Sequence, residues 1–209
     1  MKKLDRMNRI INSGALAVVR AEPDRVVEIA EGIVKGGVDV MEVSYTIASA
    51  PESIRTLQKK FGDKLLVGAG TILDGPTAKD AISNGADFIY SPIFDKDVAI
   101  LCNQYQIPYA PGCTSVTEAI EALRAGATFV KIFPYGGIVG PELIKTMKTP
   151  IPYLPLIESG GVNVDNITEW LEAGTDVVGI GGALSKGSVD DIAENAAIFR
   201  KKIDEFRQK

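Results

Sequence analysis

RAGATFVKI, residues 124–132, reads as the end of one helix and the start of the next strand. Gly126 suits the left-handed residue that stops a helix. Thr128, Phe129, Val130 and Ile132 are the β-branched and aromatic residues that strands favour. The same signature returns at KGGVDVMEV (35–43), SNGADFIYS (83–91) and EAGTDVVGI (172–180). Each time Gly36/Gly37, Gly85 or Gly174 closes a helical stretch, and an apolar run follows within a few residues. That is the αβ connection of a βαβ unit.

Working outward from these four anchors, short apolar runs alternate with helical patterns along the whole chain. The candidate strands are Ala15–Arg20, Val38–Tyr45, Leu65–Thr71, Phe88–Pro92, Tyr109–Cys113, Phe129–Pro134, Tyr153–Ser159 and Val177–Leu184. Helical patterns such as PDRVVEIAEGIVKGG (23–37) and TSVTEAIEALRAGA (114–127) lie between them. The second opens with Ser115 and Glu118 in capping-box spacing. Near-continuous strand hydrophobicity argues for a parallel sheet covered by helices. Eight units predict an α/β (β/α)8 TIM barrel, with an open doubly wound sheet as the alternative. No linker or low-complexity stretch divides residues 1–209, so one domain is expected. It would comprise an extra N-terminal helix (Lys2–Ser13, within residues 1–14), the barrel proper (15–184) and a C-terminal helix (185–209).

Composition narrows the chemistry. The 209 residues are 45% hydrophobic with a net charge of −4 and no basic block, which gives no sign of nucleic-acid or membrane-surface binding. Cys102 and Cys113 lack paired-ligand spacing, which suits a reduced, cytoplasmic protein. The apolar run Ala15–Val19 is too short for a signal sequence, and Arg20 interrupts it. There is no histidine. A Ser-His-Asp or Cys-His triad is thereby excluded, and the commonest transition-metal ligand is missing. Neither a metal site nor a cofactor is expected. Acid–base work falls to carboxylates, lysine or tyrosine.

The polar exceptions fall at the C-terminal ends of the strands, where barrels carry their chemistry. Arg20 ends the first run, Thr71 the third, and Ser91-Pro92 the fourth. Glu42 sits in VMEVSY with Met41 and Val43 on the opposite face. Lys131 sits in FVKIF. Glu42 and Lys131 belong to the second and sixth strands, opposite each other across a barrel. They could form a buried structural ion pair, although aliphatic layers fill a lumen without the desolvation cost. Alternatively, a lysine held among apolar groups has a depressed pKa and becomes a nucleophilic amine, with an adjacent carboxylate to shuttle protons. That combination suits Schiff-base chemistry on a ketone or aldehyde. Ser159-Gly160-Gly161 and Gly179-Ile180-Gly181-Gly182 follow at the last two strand ends, where backbone N–H groups commonly hold a phosphate. Glycine also ends strands for structural reasons alone.

Taken in order, EVSYT (42–46), VGAGTIL (67–73), YSP (90–92), PGCTSVTE (111–118), FVKIFP (129–134), SGGV (159–162) and GIGGAL (179–184) resemble the 2-keto-3-deoxy-6-phosphogluconate (KDPG) aldolase family. That family also covers 4-hydroxy-2-oxoglutarate (KHG) aldolase activity. The resemblance runs from about Ala15 to Leu184. It implies a class I aldolase on a (β/α)8 barrel, usually a homotrimer, acting on a small 2-keto acid and releasing pyruvate without a cofactor. Lys131 matches the Schiff-base lysine and Glu42 the general acid/base. Thr71, Pro92 and Phe133 match the lining of the pyruvyl pocket. Gly160, Gly161, Gly181 and Gly182 match the phosphate loops, with Ser159 beside them.

The chain departs from the family pattern in three places. Thr46 stands where many members have an arginine that holds the substrate carboxylate. A branch of the family resembles this chain instead, with threonine there and an arginine in AVVRA, so Arg20 becomes the carboxylate partner. Glu158 precedes the glycines where the family usually has proline, and a carboxylate there repels phosphate unless it points away. Gly182 and Ala183 occupy the place of a frequent serine. A phosphate-binding epimerase or synthase barrel, or a non-catalytic sugar-acid-binding trimer, are the rival readings. Neither requires an imine-forming lysine.

Overall fold

Alternating strands and helices wind into a single parallel sheet that closes on itself. The computed structural model describes residues 3–208. Its strands are β1 (Ala15–Val19), β2 (Val40–Ser44), β3 (Leu66–Gly70), β4 (Ile89–Tyr90), β5 (Tyr109–Ala110), β6 (Gly112–Cys113), β7 (Val130–Ile132), β8 (Leu156–Ser159) and β9 (Val177–Ile180). β5 and β6 are the two halves of one expected strand. Pro111 separates them because it has no N–H to give to a ladder. β5 pairs with β4 and β6 pairs with β7, while β9 returns to β1. The ring is therefore an eight-stranded TIM-type barrel with one broken stave, and an open doubly wound sheet is ruled out.

Side-chain alternation sorts the core into two layers. Leu16, Val40, Leu66, Phe88, Tyr90, Ala110, Phe129, Ile157 and Val177 fill the lumen. Ala17, Met41, Val43, Val67, Ala69, Val130, Ile132 and Leu156 face the helices. By the same alternation Glu42 and Lys131 point into the lumen. The N-terminal helix spans Lys3–Ser13 and inserts Ile10 into the floor of the lumen; Met1, Lys2 and Lys209 lie outside the described residues. The last helix is Val189–Arg207 and packs against Pro23–Lys35.

The repeated signature has a second function that its glycines do not reveal. Gly37, Gly85, Gly126 and Gly174 all have φ between 86 and 101°, whereas Gly36 is right-handed at −85°. Two residues after the left-handed glycine stand Asp39, Asp87, Thr128 and Asp176. The Asp87 carboxylate accepts from the Val67 N–H, Asp176 from Leu156, and the Thr128 hydroxyl from Tyr109. Each thus holds an N–H at the start of a neighbouring strand, that of the first residue in β8 and β5 and of the second in β3. Asp39 instead pairs with Arg9 at 2.7 Å. These bonds fix strand register at the bottom of the barrel, so the top can be shaped by loops.

The strands are shorter than their sequence runs. The expected strand Val177–Leu184 ends at Ile180, and Gly182–Leu184 forms a 3-10 turn. Gly181 departs from extended geometry (φ −89°, ψ −99°), which the glycine run permits. Tyr105 is 40% exposed and lies under Lys79. Trp170 and Cys113 are buried. Among the described residues no helix is long and apolar enough to cross a membrane.

Candidate active site

Lys131 is carried by β7 between two residues that face the helices, Val130 and Ile132. Its strand is held on one side by its N–H donating to Pro111 O (2.8 Å). The side chain is 8% exposed, and Nζ sits 4.3 Å from the centroid of the Tyr90 ring and 4.7 Å from that of Phe133. Burial pulls the amine below the usual lysine range; Glu42 and Glu158 oppose the shift, and Arg20 adds to it. A lowered amine pKa means a larger neutral, nucleophilic fraction near neutral pH.

Glu42 is 1% exposed in β2. Burial pushes its carboxyl above the ordinary range, while Lys131 and then Arg20 pull the other way. Its Oε2 has no hydrogen-bond partner, and no described acid lies within ion-pair distance of Lys131. The two groups are therefore not locked in a direct salt bridge. One is a buried acid biased toward its neutral form, and the other is a buried amine biased the same way. Groups poised like this can trade a proton with a bound substrate or water.

Beside Glu42, Ser44 Oγ lies 3.1 Å from Thr46 Oγ1 and 2.9 Å from Thr71 Oγ1. The three hydroxyls link the ends of β2 and β3. Thr71 adopts φ +61°, which is uncommon for a β-branched residue and is held by this contact. Ser44 is fully buried; it stands in EVSYT but was not singled out by sequence. Its period-2 spacing from Glu42 is the signal that places it on the lumen face.

A cleft of about 280 Å³ opens above Lys131. Val18, Arg20, Lys131 and Phe133 line it together with Ser159, Gly160–Val162, Gly179, Gly181 and Gly182. Arg20 is exposed and has no carboxylate partner among the described residues, leaving its five donors available to an anion. The structure thus gathers Arg20, Lys131, Phe133, Ser159, Gly160, Gly161, Gly181 and Gly182 around one space. Thr46, Thr71 and Pro92 do not line this cleft. The first two sit in the hydroxyl cluster, and the Pro92 carbonyl packs on Gly112.

Glu158 points away from the cleft. It alternates with Ser159 on β8, and its carboxyl is wedged against Gly136, where a Cβ would lie 2.2 Å from Oε2. Both oxygens are buried without partners. Burial raises its pKa to about 8 despite the opposing effects of Lys131 and of the nearby Ser159 backbone N–H, which falls short of full hydrogen-bond geometry. The carboxyl is thus mostly neutral at pH 7, which removes the repulsion expected for an anion at the Ser159 loop. Among the described residues no three His, Cys, Asp or Glu side chains cluster as metal ligands.

Comparison with known proteins gives a consistent picture. The family model described as "KDPG and KHG aldolase" matches residues 7–200. The chain is 34% identical over 191 residues to 2-dehydro-3-deoxy-6-phosphogalactonate aldolase of Escherichia coli K12, covering 89% of this chain and 92% of the relative. A solved structure described as "Native KDPGal structure" superposes with a TM-score of 0.87 at 32% identity, over 93% of this chain and 96% of the other. A KDPG aldolase from Legionella pneumophila, solved with pyruvate captured as a covalent carbinolamine, superposes with a TM-score of 0.83 at 27% identity, over 92% and 96% of the two chains.

Proposed function

The chain belongs to the KDPG and KHG aldolase family, and from that premise we propose that it is a class I, metal-independent aldolase whose Schiff base forms on Lys131. As an aldolase it is a carbon–carbon lyase. The substrate proposed is a 2-keto-4-hydroxy acid, either KDPG or 4-hydroxy-2-oxoglutarate. The products are pyruvate with glyceraldehyde 3-phosphate or glyoxylate. The observation that carries this reading is the pairing of a buried, pKa-lowered Lys131 with a buried, pKa-raised Glu42 in one lumen.

In the proposed reaction Nζ of Lys131 attacks the C2 ketone, and Glu42 delivers and removes the protons of carbinolamine formation and dehydration. The protonated imine draws electrons from the C3–C4 bond. That bond breaks as the C4 hydroxyl gives its proton to Glu42, directly or through water. The aldehyde leaves, the pyruvate enamine takes a proton at C3, and water releases pyruvate from the lysine. Arg20 binds the substrate carboxylate with two parallel hydrogen bonds. Phe133 lines the pyruvyl end, and Thr71 and Thr46, through their hydroxyl cluster beside Glu42, complete it with Pro92 from outside the cleft lining. The N–H groups of Gly160, Gly161, Gly181 and Gly182, with the Ser159 hydroxyl, hold the far phosphate. No cofactor takes part.

The E. coli relative named for phosphogalactonate favours a second reading of the substrate, the C4 epimer of KDPG, with the same products. A homotrimer acting in the cytoplasm completes the proposal. The exposed apolar surface of Tyr135, Ile138, Val139 and Tyr153 is consistent with burial against another copy.

Incubation with pyruvate and borohydride, followed by peptide mapping, tests the mechanism. A reduced pyruvyl adduct on Lys131 is expected. Folded protein without that adduct, or a Lys131→Ala variant that keeps substantial activity, sinks the proposal.

A further inference from the structure

Tyr90 stands apart from the residues used so far. It ends β4, lies fully buried in the lumen, and turns its ring face to Lys131 with Nζ 4.3 Å from the centroid. Its hydroxyl is buried and makes no hydrogen bond of full geometry, with the Ser159 side chain near it. A leucine would fill the lumen without stranding a polar atom. The aromatic residue instead places a ring face against Nζ. An aromatic face attracts a cation through its quadrupole, most strongly where water is excluded.

We propose that Tyr90 is a positioning residue for the Lys131 nitrogen, its ring face holding that nitrogen's cationic states at the floor of the site. This rests on the imine-forming reading of Lys131. The two cationic states are the resting ammonium and the iminium formed with substrate, and both place positive charge over the same ring. The other groups that act on this nitrogen are Glu42 from β2, Glu158 from β8, Arg20 after β1 and the Phe133 ring. Only the carboxylates share with the rings the capacity to favour the cation, and both are biased toward neutrality. The rings therefore supply a stabilisation that does not depend on a carboxylate staying ionised. Burial holds the Tyr90 phenol well above its ordinary range, so it keeps its proton, and what it offers the nitrogen is its face.

The test compares the wild type with Tyr90→Phe and with mono-, di- and trifluorinated phenylalanine at position 90. Fluorination weakens the negative face with little change of shape. Two quantities are read: the pH midpoint of pyruvate trapping by borohydride on Lys131, and kcat for aldol cleavage. Tyr90→Phe is expected to match the wild type. Across the fluorinated series the midpoint should fall in steps, by about one pH unit in total, and kcat should fall about tenfold in the same order. A flat series overturns the proposal, as does Tyr90→Phe losing as much as the trifluoro variant, which would assign the effect to the hydroxyl. Failure of the imine reading is separate, because wild-type protein would then give no Lys131 adduct at any pH.

Discussion

The carboxyl group of Glu42 rests on the bare Cα of Gly70, where a Cβ would lie 1.5 Å from Oε1 and 2.1 Å from Cδ. Register pairs Glu42 with Gly68 and Ser44 with Gly70, so the Glu42 side chain leans one step toward the C-terminal rim. The glycine is therefore the seat of the acid. Gly70→Ala is expected to push the carboxyl aside, lowering kcat by about a hundredfold or more while costing about 1–3 kcal/mol of stability from overpacking. Steady-state kinetics beside denaturant melts separate the two effects. Unchanged kcat would mean that the position of Glu42 does not matter.

Arg20 lowers the pKa of both Lys131 and Glu42. Arg20→Met removes a positive neighbour of the amine, so the pH midpoint for pyruvate trapping should move upward. The same change removes the proposed carboxylate partner, so KM for the keto acid should rise at least about tenfold. The readouts are a trapping profile and substrate titrations. A midpoint that stays put or falls contradicts the placement.

Gly181 lines the cleft and has open space where a side chain would go. Gly181→Ala should still fold, losing about 1 kcal/mol because its backbone conformation suits glycine better than alanine. It should lower kcat/KM for a phosphorylated substrate about tenfold and leave 4-hydroxy-2-oxoglutarate nearly untouched. Equal losses on both substrates would remove the phosphate from this loop.

Glu158 has its folded pKa raised from 4.5 to about 8. A raised carboxyl makes the folded state the better proton binder, so its contribution to stability is fully present below pH 4.5 and is lost as pH climbs to 8. Glu158→Gln cannot titrate. Its melting temperature relative to the parent should therefore improve steadily between about pH 5 and 8, by an amount reflecting about 2–3 kcal/mol once relaxation of the site is allowed for. Parallel Tm curves across that range would show that this carboxyl does not carry the shift.

The barrel was legible because its period is written into small residues. Four helix-stop glycines followed by apolar runs define βαβ units, and the alternation around Glu42 places it in the lumen before any coordinates are known. Lys131 was legible for the opposite reason, as a charge where burial demands none. What stayed hidden depends on distances across the ring. Nothing in YSP shows that the Tyr90 ring will lie under Lys131, which reaches it from another wall. Glu158 looked like a threat to an anion because sequence places it next to Ser159. The pleat sends the two side chains to opposite faces of the sheet, and Gly136 leaves just enough room for the carboxyl there. The Gly181-Gly182 run looked like strand because its neighbours are apolar, yet only the fold shows the chain turning there.

The break at Pro111 makes the barrel mechanically lopsided. β2 and β3 share five paired positions, whereas β4 and β5 share two. Glu42 belongs to the stiff wall, and Lys131 to the compliant one beside the break. Amide exchange should be slowest along β2 and fastest in the stave around Pro111. In the proposed mechanism Glu42, which passes protons, stands on the more extensively paired half. Lys131, which in that proposal carries the attached substrate through changing geometries, stands on the half beside the break.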